Sequence, residues 1–487
     1  MSKVDYVREE HREFLQASEA ALANPALQQI LGRLGDSLGQ RNQDAWAAFE
    51  PHDLVRQRAR AIKDSTLADL DRHLATLEAS VVRRGGHVYW ADNGDEAGQF
   101  ILDIIQSRGA TRVVKSKSMT SEEIHLNKLL ARHQIEVVET DFGEYIIQVA
   151  GHRPSHIVGP ALHLSKDDVA EILSAAAGEQ LPADREALAA FARRQLRSRF
   201  AAADVGITGV NYAIAETGSI VLVENEGNAR LTTSLPRIHI AVMGMEKVIP
   251  RLADLPYFLK VLARAATGQK MSCYTSLITG ARRAGELDGP EEFHLIILDN
   301  GRSKILAGPL RESLFCIRCG ACLNACPIYR TVGGHSYGGV YAGPIGAVLT
   351  PLYNGLPDYH HLPHASSLCG ACQAACPVKI QIPEMLVKLR EQLHDEPGQL
   401  GRFESLAYRF WARALRSSWC YGWGTWLATR TIGRWKRRSG WLRRLPGKLG
   451  GWTKQRDFPA PAPQRFRDWW RSEGKHERAE VADTHGP

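Results

Sequence analysis

Cys316, Cys319, Cys322 and Cys326 form the run C-x2-C-x2-C-x3-C, and Pro327 follows. Farther along, Cys369, Cys372 and Cys376 form a shorter run, again followed by a proline, Pro377. Thiolates at such short spacings let one loop wrap a small cube of iron and sulfide. In the bacterial form of this run the fourth cysteine ligates the other cluster of a pair. Applied here, Cys316, Cys319, Cys322 and Cys376 hold one cluster, while Cys326, Cys369 and Cys372 hold the second. The chemistry is one-electron transfer. Zinc is the obvious competitor for spaced cysteines, but a four-ligand zinc site leaves the C-x2-C-x2-C-x3-C-P run unexplained. Disulfides fit less well, because the cysteines are clustered and Met1 to Glu13 has no apolar leader segment.

The second run is one thiolate short. The position three residues before Cys369 is Ser366. Ser366, a water, His364 or a distant residue such as Cys273 completes that cluster. Otherwise it is a three-iron cluster, or a four-iron cluster with one labile corner. The sequence leaves these alternatives open. Cys273 and Cys420 lie outside both runs, and each is expected to be a buried apolar residue. The long insert between the runs points to a helical ferredoxin type, not the compact β type.

Several elements must position these groups. Residues 1–85 read as a helical region, with apolar Leu15, Leu22 and Ile30, a break at Asn24-Pro25, and a helix start at Asp64-Ser65. Residues 86–300 change rhythm, and short apolar strands alternate with helices. Strands are predicted at His87 to Ala91, Arg112 to Lys115, Ile135 to Thr140, Tyr212 to Ala215, Ser219 to Glu224, Ile238 to Met243 and Phe293 to Leu298. Helices are predicted at Glu96 to Arg108 and Ser121 to His133, with a helical block from Lys166 to Ala202. The alternation implies βαβ units and a largely parallel sheet. Residues 301–395 are the cluster domain; its insert from Gly333 to Gly355 reads as loop with one short helix. Residues 396–487 form an extension rich in Trp and Arg, and its last dozen residues have a disordered composition. The fold class is therefore multidomain, α/β plus α.

The chain has 487 residues and a net charge of +8. That length suits two to four domains. The charge is modest and gathers near the C-terminus, at Arg434, Lys436, Arg437, Arg438, Arg443, Arg444 and Lys448. Nucleic-acid binding is not expected. No run of about 18 uncharged apolar residues occurs, so no spanning helix is expected. The expected compartment is the cytoplasm, where thiolates stay reduced. The extension, with Trp411, Trp419, Trp423, Trp426, Trp435, Trp441 and Trp452 among its arginines, has three readings. It is a small core of its own, a docking element for a partner subunit, or a peripheral contact with the inner face of a membrane.

Other candidate sites are polar turns. Lys115 to Glu123 (KSKSMTSEE) ends a strand and opens a helix, so Lys115 and Lys117 beside free amides suit an anion. The plainer reading is a helix cap by Thr120 or Ser121. The turn Ala215 to Ser219, read as another strand-to-helix turn, offers Glu216 as a base; the plainer reading is a polar hairpin turn. Glu144 is a third candidate. No dinucleotide or phosphate-loop signature is present.

Taken together, KSKSM at 115–119, Glu216 to Ser219 (ETGS), Gly285 to Pro290 (GELDGP) and the four-plus-three cysteine layout resemble the lactate utilisation protein B family. That family is the iron–sulfur subunit of a three-part bacterial L-lactate oxidation system. The resemblance runs from about residue 5 to 475. It implies an α/β domain of the NagB/RpiA/CoA-transferase-like type, two [4Fe–4S] clusters with the crossed ligand sets above, and other subunits of a lactate-oxidation complex as partners. It implies that the gap at Ser366 is a family feature. It assigns no catalytic residue to the α/β domain.

Three functions follow as expectations. The first is an electron-transfer component that takes electrons from oxidation of L-lactate to pyruvate and passes them to a partner or respiratory acceptor. The second places the lactate (2-hydroxy acid) site in the α/β domain itself. The third is a redox-sensing scaffold that uses the labile second cluster.

Overall fold

The computed structural model describes residues 14, 16–395, 402–435, 440–454, 456–462 and 464–474. Leu15, Lys436, Arg437, Arg438, the first thirteen residues and the last dozen lie outside that set. Residues 1–395 form one compact unit and residues 396–487 a second.

The first unit opens with four helices: α1 (16–23), α2 (Pro25–Ala47), α3 (His52–Ala68) and α4 (Leu70–Arg83). Asn24 caps α2 by accepting from the Leu27 N–H, with Pro25 at the first helical position, where its missing N–H costs nothing. Asp64 and Ser65 do not start a helix. They sit inside α3, because Ile62, Lys63, Thr66 and Leu67 continue its buried stripe, and the break falls at Asp69 (φ −119°).

The central sheet has six parallel strands in the order β1-β10-β7-β4-β2-β3. They are β1 (His87–Ala91), β2 (Arg112–Lys115), β3 (Glu136–Glu139), β4 (Val205–Thr208), β7 (Ile238–Gly244) and β10 (Glu292–Leu298). In β7 all seven residues are buried, as expected for a parallel strand covered on both faces. The crossovers carry α5 (Gly94–Ser107), α6 (Met119–Glu123), α7 (Leu126–Arg132), α8 (Phe142–Ala150), α9 (Lys166–Ala177), α10 (Arg185–Ala202), α11 (Asn228–Ser234) and α12 (Leu255–Thr267). The helix expected from Ser121 to His133 is two pieces, α6 and α7. His125 adopts a left-handed conformation (φ 52°) between them.

A second sheet, which sequence periodicity did not separate, has the order β8-β5-β6-β9. It comprises β5 (Tyr212–Ile214), β6 (Ser219–Glu224), β8 (Val248–Ile249) and β9 (Tyr274–Ile278). β5 and β6 pair antiparallel. The turn carrying Glu216 is therefore a hairpin turn rather than a strand-to-helix turn. Strands β4, β8 and β9 escaped sequence reasoning. They are short, and β4 is fully buried with no alternation to mark it.

The cysteine segment follows as α13 (Arg302–Ala307), α14 (Ala321–Ala325), α15 (Tyr329–Val332), α16 (Gly343–Asn354), α17 (Ala371–Ala375) and α18 (Ile382–Asp395). The insert, expected as loop with one short helix, holds α16, a twelve-residue helix that keeps Pro351 inside it and buries its first nine residues, Gly343 to Pro351. One hydrophobic core runs from Val55 on α3 through the second sheet to Cys319, Cys322, Cys326 and Leu389. Helix α3 also clamps the segment directly. Arg56 Nη2 donates to the carbonyls of Ala374 and Cys376, both at 2.7 Å, and Arg60 binds Glu312 and the Lys379 carbonyl.

The second unit holds α19 (Arg402–Arg416), α20 (Ser418–Trp435), the pair β11 (Trp441–Leu442) and β12 (Phe458–Pro459), and α21 (Phe466–Trp469). Among its described residues the tryptophans build no buried core: Trp411, Trp419 and Trp423 are 60 %, 76 % and 56 % exposed. Among the described residues no helix is long and apolar enough to cross a membrane.

Candidate iron–sulfur centre and the adjoining cleft

Residues 316–327 and 366–377 are two copies of one turn. Each contains C-G-A-C followed by A-C-P. In each copy the residue before the first Cys of C-G-A-C is left-handed (Arg318 φ 60°, Leu368 φ 55°), as is the glycine after that cysteine (Gly320 φ 76°, Gly370 φ 82°). Each then forms a one-turn helix, α14 or α17, and these two helices pack together. The left-handed glycines let the chain double back so that backbone N–H groups face the sulfurs. In this repeat Ser366 occupies the place of Cys316. The repeat was visible in the sequence as the recurring C-G-A-C.

The thiols fall into two groups by the charges they feel. Cys319 senses Cys376 and Cys316, and Cys322 senses Cys319, Cys316 and Cys376. Cys326 senses Cys369, and Cys372 senses Cys326 and Cys369. Burial pushes the Cys372 and Cys376 thiols up to about 11 and about 12. Thiols so desolvated ionise when a metal centre compensates the charge. Backbone N–H groups already point at the sulfurs: Arg318 N donates to Cys316 Sγ at 3.4 Å and Ile380 N to Cys376 Sγ at 3.3 Å. Sulfur-directed N–H groups and a thiol-only donor set, buried at five of its seven members, fit an iron–sulfur cluster. Among the described residues no three His, Cys, Asp or Glu groups crowd one point as closely as a lone ion requires. A cube holds its thiolates at separate corners, so the two facts agree.

Ser366 Oγ accepts from the Leu368 N–H at 3.2 Å. Cys369 and His364 are both exposed. Cys273 is exposed rather than buried, at the start of β9, with its N–H on Asn225 Oδ1. Cys420 is half-buried on α20 in the second unit.

The carboxyl edge of the parallel sheet lies against this segment. Lys115, at the end of β2, is not an anion receptor. Its ammonium spends three donors on Glu139 (2.7 Å), Glu122 (2.9 Å) and Ser121 Oγ (3.0 Å) and is 1 % exposed. Ser118, not Thr120 or Ser121, caps α6 by accepting from the Ser121 N–H. Glu216 is not in the cleft either; its Oε2 accepts from the Leu252 N–H at 3.0 Å. Lys117 is different. Its ammonium nitrogen is buried without a hydrogen-bond partner, and it lines two adjoining cavities of about 440 and 300 Å³. Glu144 lines the larger one, where burial pushes its carboxyl up to about 8. Cys319 and Arg318 line the smaller.

Behind the cleft sits a buried ion network that sequence reasoning missed. Arg302 donates to Glu246 (2.6 Å) and to both oxygens of Glu123 (2.9 Å each). Arg318 reaches Glu246 Oε1 at 3.5 Å and stacks its guanidinium 4.4 Å from the Tyr341 ring centre. Lys63 donates to the Glu246 carbonyl. These residues come from α3, α6, the turn after β7, α13 and the first cysteine turn. No local pattern could have joined them.

Residues 74–298 match the LUD domain, residues 312–380 the 4Fe-4S dicluster domain, and residues 388–475 the family described as lactate utilisation protein B, C-terminal. Lactate utilization protein B of Shouchella clausii is 49 % identical over 87 % of this chain and 89 % of its own length. The protein of that name from Bacillus subtilis is 46 % identical over 87 % and 88 %. That from Anoxybacillus flavithermus is 44 % identical over 95 % and 98 %. A solved DUF162 family protein from Deinococcus radiodurans superposes at a TM-score of 0.28 with 15 % identity, over 47 % of this chain and 98 % of that one; nothing follows from so slight a likeness. With a mixed α/β fold, a 4Fe-4S dicluster domain and relatives this similar along most of its length, the chain belongs to the lactate utilization protein B family.

Proposed function

We propose that this chain is an iron–sulfur electron-transfer component in the oxidation of L-lactate to pyruvate. That oxidation releases two electrons and two protons. Two [4Fe–4S] clusters, when bound, supply two one-electron acceptors. In this reading Cys316, Cys319, Cys322 and Cys376 hold the first, and Cys326, Cys369 and Cys372 hold the second with Ser366 at its open position. The observation that carries it is that Cys376, from the second run, acts on Cys319 and Cys322 of the first, while Cys326, from the first run, and Cys369 act on Cys372 of the second.

The chain's own residues prepare the sites. Burial of Cys319, Cys322, Cys326, Cys372 and Cys376 excludes water. Backbone N–H groups and the cations Arg318, Lys63 and Lys247 near Cys316 favour the more negative, reduced state. The 86–300 segment serves as an α/β domain of the NagB/RpiA/CoA-transferase-like type, between a helical 1–85 and the 301–395 cluster segment. The exposed tryptophans of 396–487 dock other subunits of a lactate-oxidation complex.

The test is anaerobic purification with iron and sulfide counts, and EPR of the dithionite-reduced protein. Seven to eight irons per chain and reduction by L-lactate in the presence of the co-produced partner subunits are expected. A protein without acid-labile sulfide, or clusters that stay oxidised in the complete system, overturns the reading.

A further inference from the structure

Lys117 follows β2 at the carboxyl edge of the sheet, where open α/β sheets bind their ligands. Its ammonium is buried with no hydrogen-bond partner. Burial disfavours its charge, and the carboxylates of Asp141, Glu144 and Glu226 act on it only from beyond hydrogen-bond distance, so its donors stay free for a ligand. It is not alone. Arg318, whose side chain is 9 % exposed, has a buried Nη1 that also lacks a partner. Lys247 is 8 % exposed and lines the same cavity. Three cationic groups from three separate elements thus meet one cavity of about 300 Å³, and two of them carry unused donors.

The cavity also carries acids. Asp141, Glu224 and Glu226 line it with the three cations, so the local charges balance. Asp141 Oδ1 accepts from the Glu144 N–H, and Glu226 Oε2 from the Phe142 N–H. Each keeps a second oxygen that can accept from a hydroxyl. A cavity with as many acids as cations disfavours a dianion more than a single negative charge. Cys319 completes the wall.

We propose that this cavity binds a small monocarboxylate carrying a 2-hydroxy or 2-oxo group. The ligand carboxylate takes the free donors of Lys117 and Arg318; a 2-hydroxyl donates to Asp141 or Glu226, whereas a 2-oxo oxygen, which only accepts, turns to the Lys247 ammonium. The ligand then sits against the Cys319 wall, next to the first group of thiols. Its relevance to electron transfer rests on the cluster reading above; the binding itself does not.

The experiment is calorimetric titration of the anaerobically purified full-length protein with L-lactate, pyruvate, acetate and inorganic phosphate. L-lactate or pyruvate binds more tightly than acetate and phosphate. Lys117→Gln weakens that binding about ten-fold or more, the range for a hydrogen bond to a charged group, with iron content unchanged. Lys247→Gln is the second reporter, should Lys117→Gln fold poorly. Addition of the tighter ligand also shifts the EPR spectrum of the reduced wild-type protein. No binding of any of the four probes, wild-type affinity in both variants, or tighter binding of phosphate than of pyruvate overturns the proposal. Lost binding with clusters that still reduce in the complete system removes the cavity site and leaves the electron-transfer reading intact. Missing clusters with intact binding do the reverse.

Discussion

Leu368 donates its backbone N–H to Ser366 Oγ at 3.2 Å, as Arg318 donates its own to Cys316 Sγ at 3.4 Å. Both donors are left-handed residues at the same place in the two cysteine turns. The Ser366 oxygen is therefore held in the orientation that its counterpart sulfur takes. Ser366→Cys places a fourth thiolate at the second cluster with no change of backbone. If the wild-type cluster is open, oxidised wild-type protein shows a three-iron EPR signal and the variant loses it. Eight irons in the wild type, with unchanged spectra in the variant, would mean that another group closes the cluster.

The crossed ligand sets make a prediction against sequence proximity. Cys376 lies in the second run, yet its sulfur is sensed by Cys319 and Cys322. Cys376→Ala should abolish the same EPR signal that Cys316→Ala abolishes. Cys326→Ala should spare that signal and remove the other. A Cys376→Ala protein that instead matches Cys369→Ala means that the runs do not exchange ligands.

Arg302 is wholly buried and holds two buried carboxylates, Glu246 and Glu123. Arg302→Met leaves Glu123 with only the neutral donors Asn300 and Tyr341, and Glu246 with Arg318 at 3.5 Å. Breaking a buried ion network from one side costs about 3–5 kcal/mol. The urea midpoint of the anaerobic protein should fall accordingly. Arg302→Lys should recover only part of the loss, because an ammonium cannot bridge two carboxylates as the guanidinium fork does. An unchanged midpoint in Arg302→Met would show that the network contributes no net stability.

The cysteine runs were legible because cluster ligation fixes spacing within one loop. Strands β1 and β2 were legible to the residue because each is a short apolar burst between polar turns. Strand β4 was hidden because all its residues are buried and no alternation marks it. The break at His125 was hidden because a left-handed histidine leaves no composition signal. Among the polar candidates, sequence could not rank Lys115 above or below Lys117. The two stand two residues apart in the same stretch, and their difference lies in long-range partners. Glu139 neutralises Lys115 from β3, whereas no side chain hydrogen-bonds the Lys117 ammonium. The ion network around Glu246 was unreadable for the same reason.

Glu144 gives a prediction with a definite sign. It sits 6 % exposed in the first turn of α8. Burial raises its carboxyl from 4.5 to about 8, against the opposing pull of Lys117. The unfolded chain therefore loses this proton near pH 4.5, while the folded protein keeps it to about pH 8. Across that window the folded state holds more protons, so its stability falls as pH rises. Below pH 4.5 both states are protonated and the group contributes nothing. Above pH 8 both are ionised and the loss is complete. At about 1.4 kcal/mol per pKa unit the loss is no more than roughly 5 kcal/mol. Glu144→Gln does not titrate. Its melting temperature relative to wild type should climb from pH 5 to pH 8 and then level off. Taking the difference between the two proteins cancels any pH sensitivity of the clusters common to both. A difference that stays constant from pH 5 to pH 9 would show that Glu144 ionises normally and that its site is wetter than the packing around it implies.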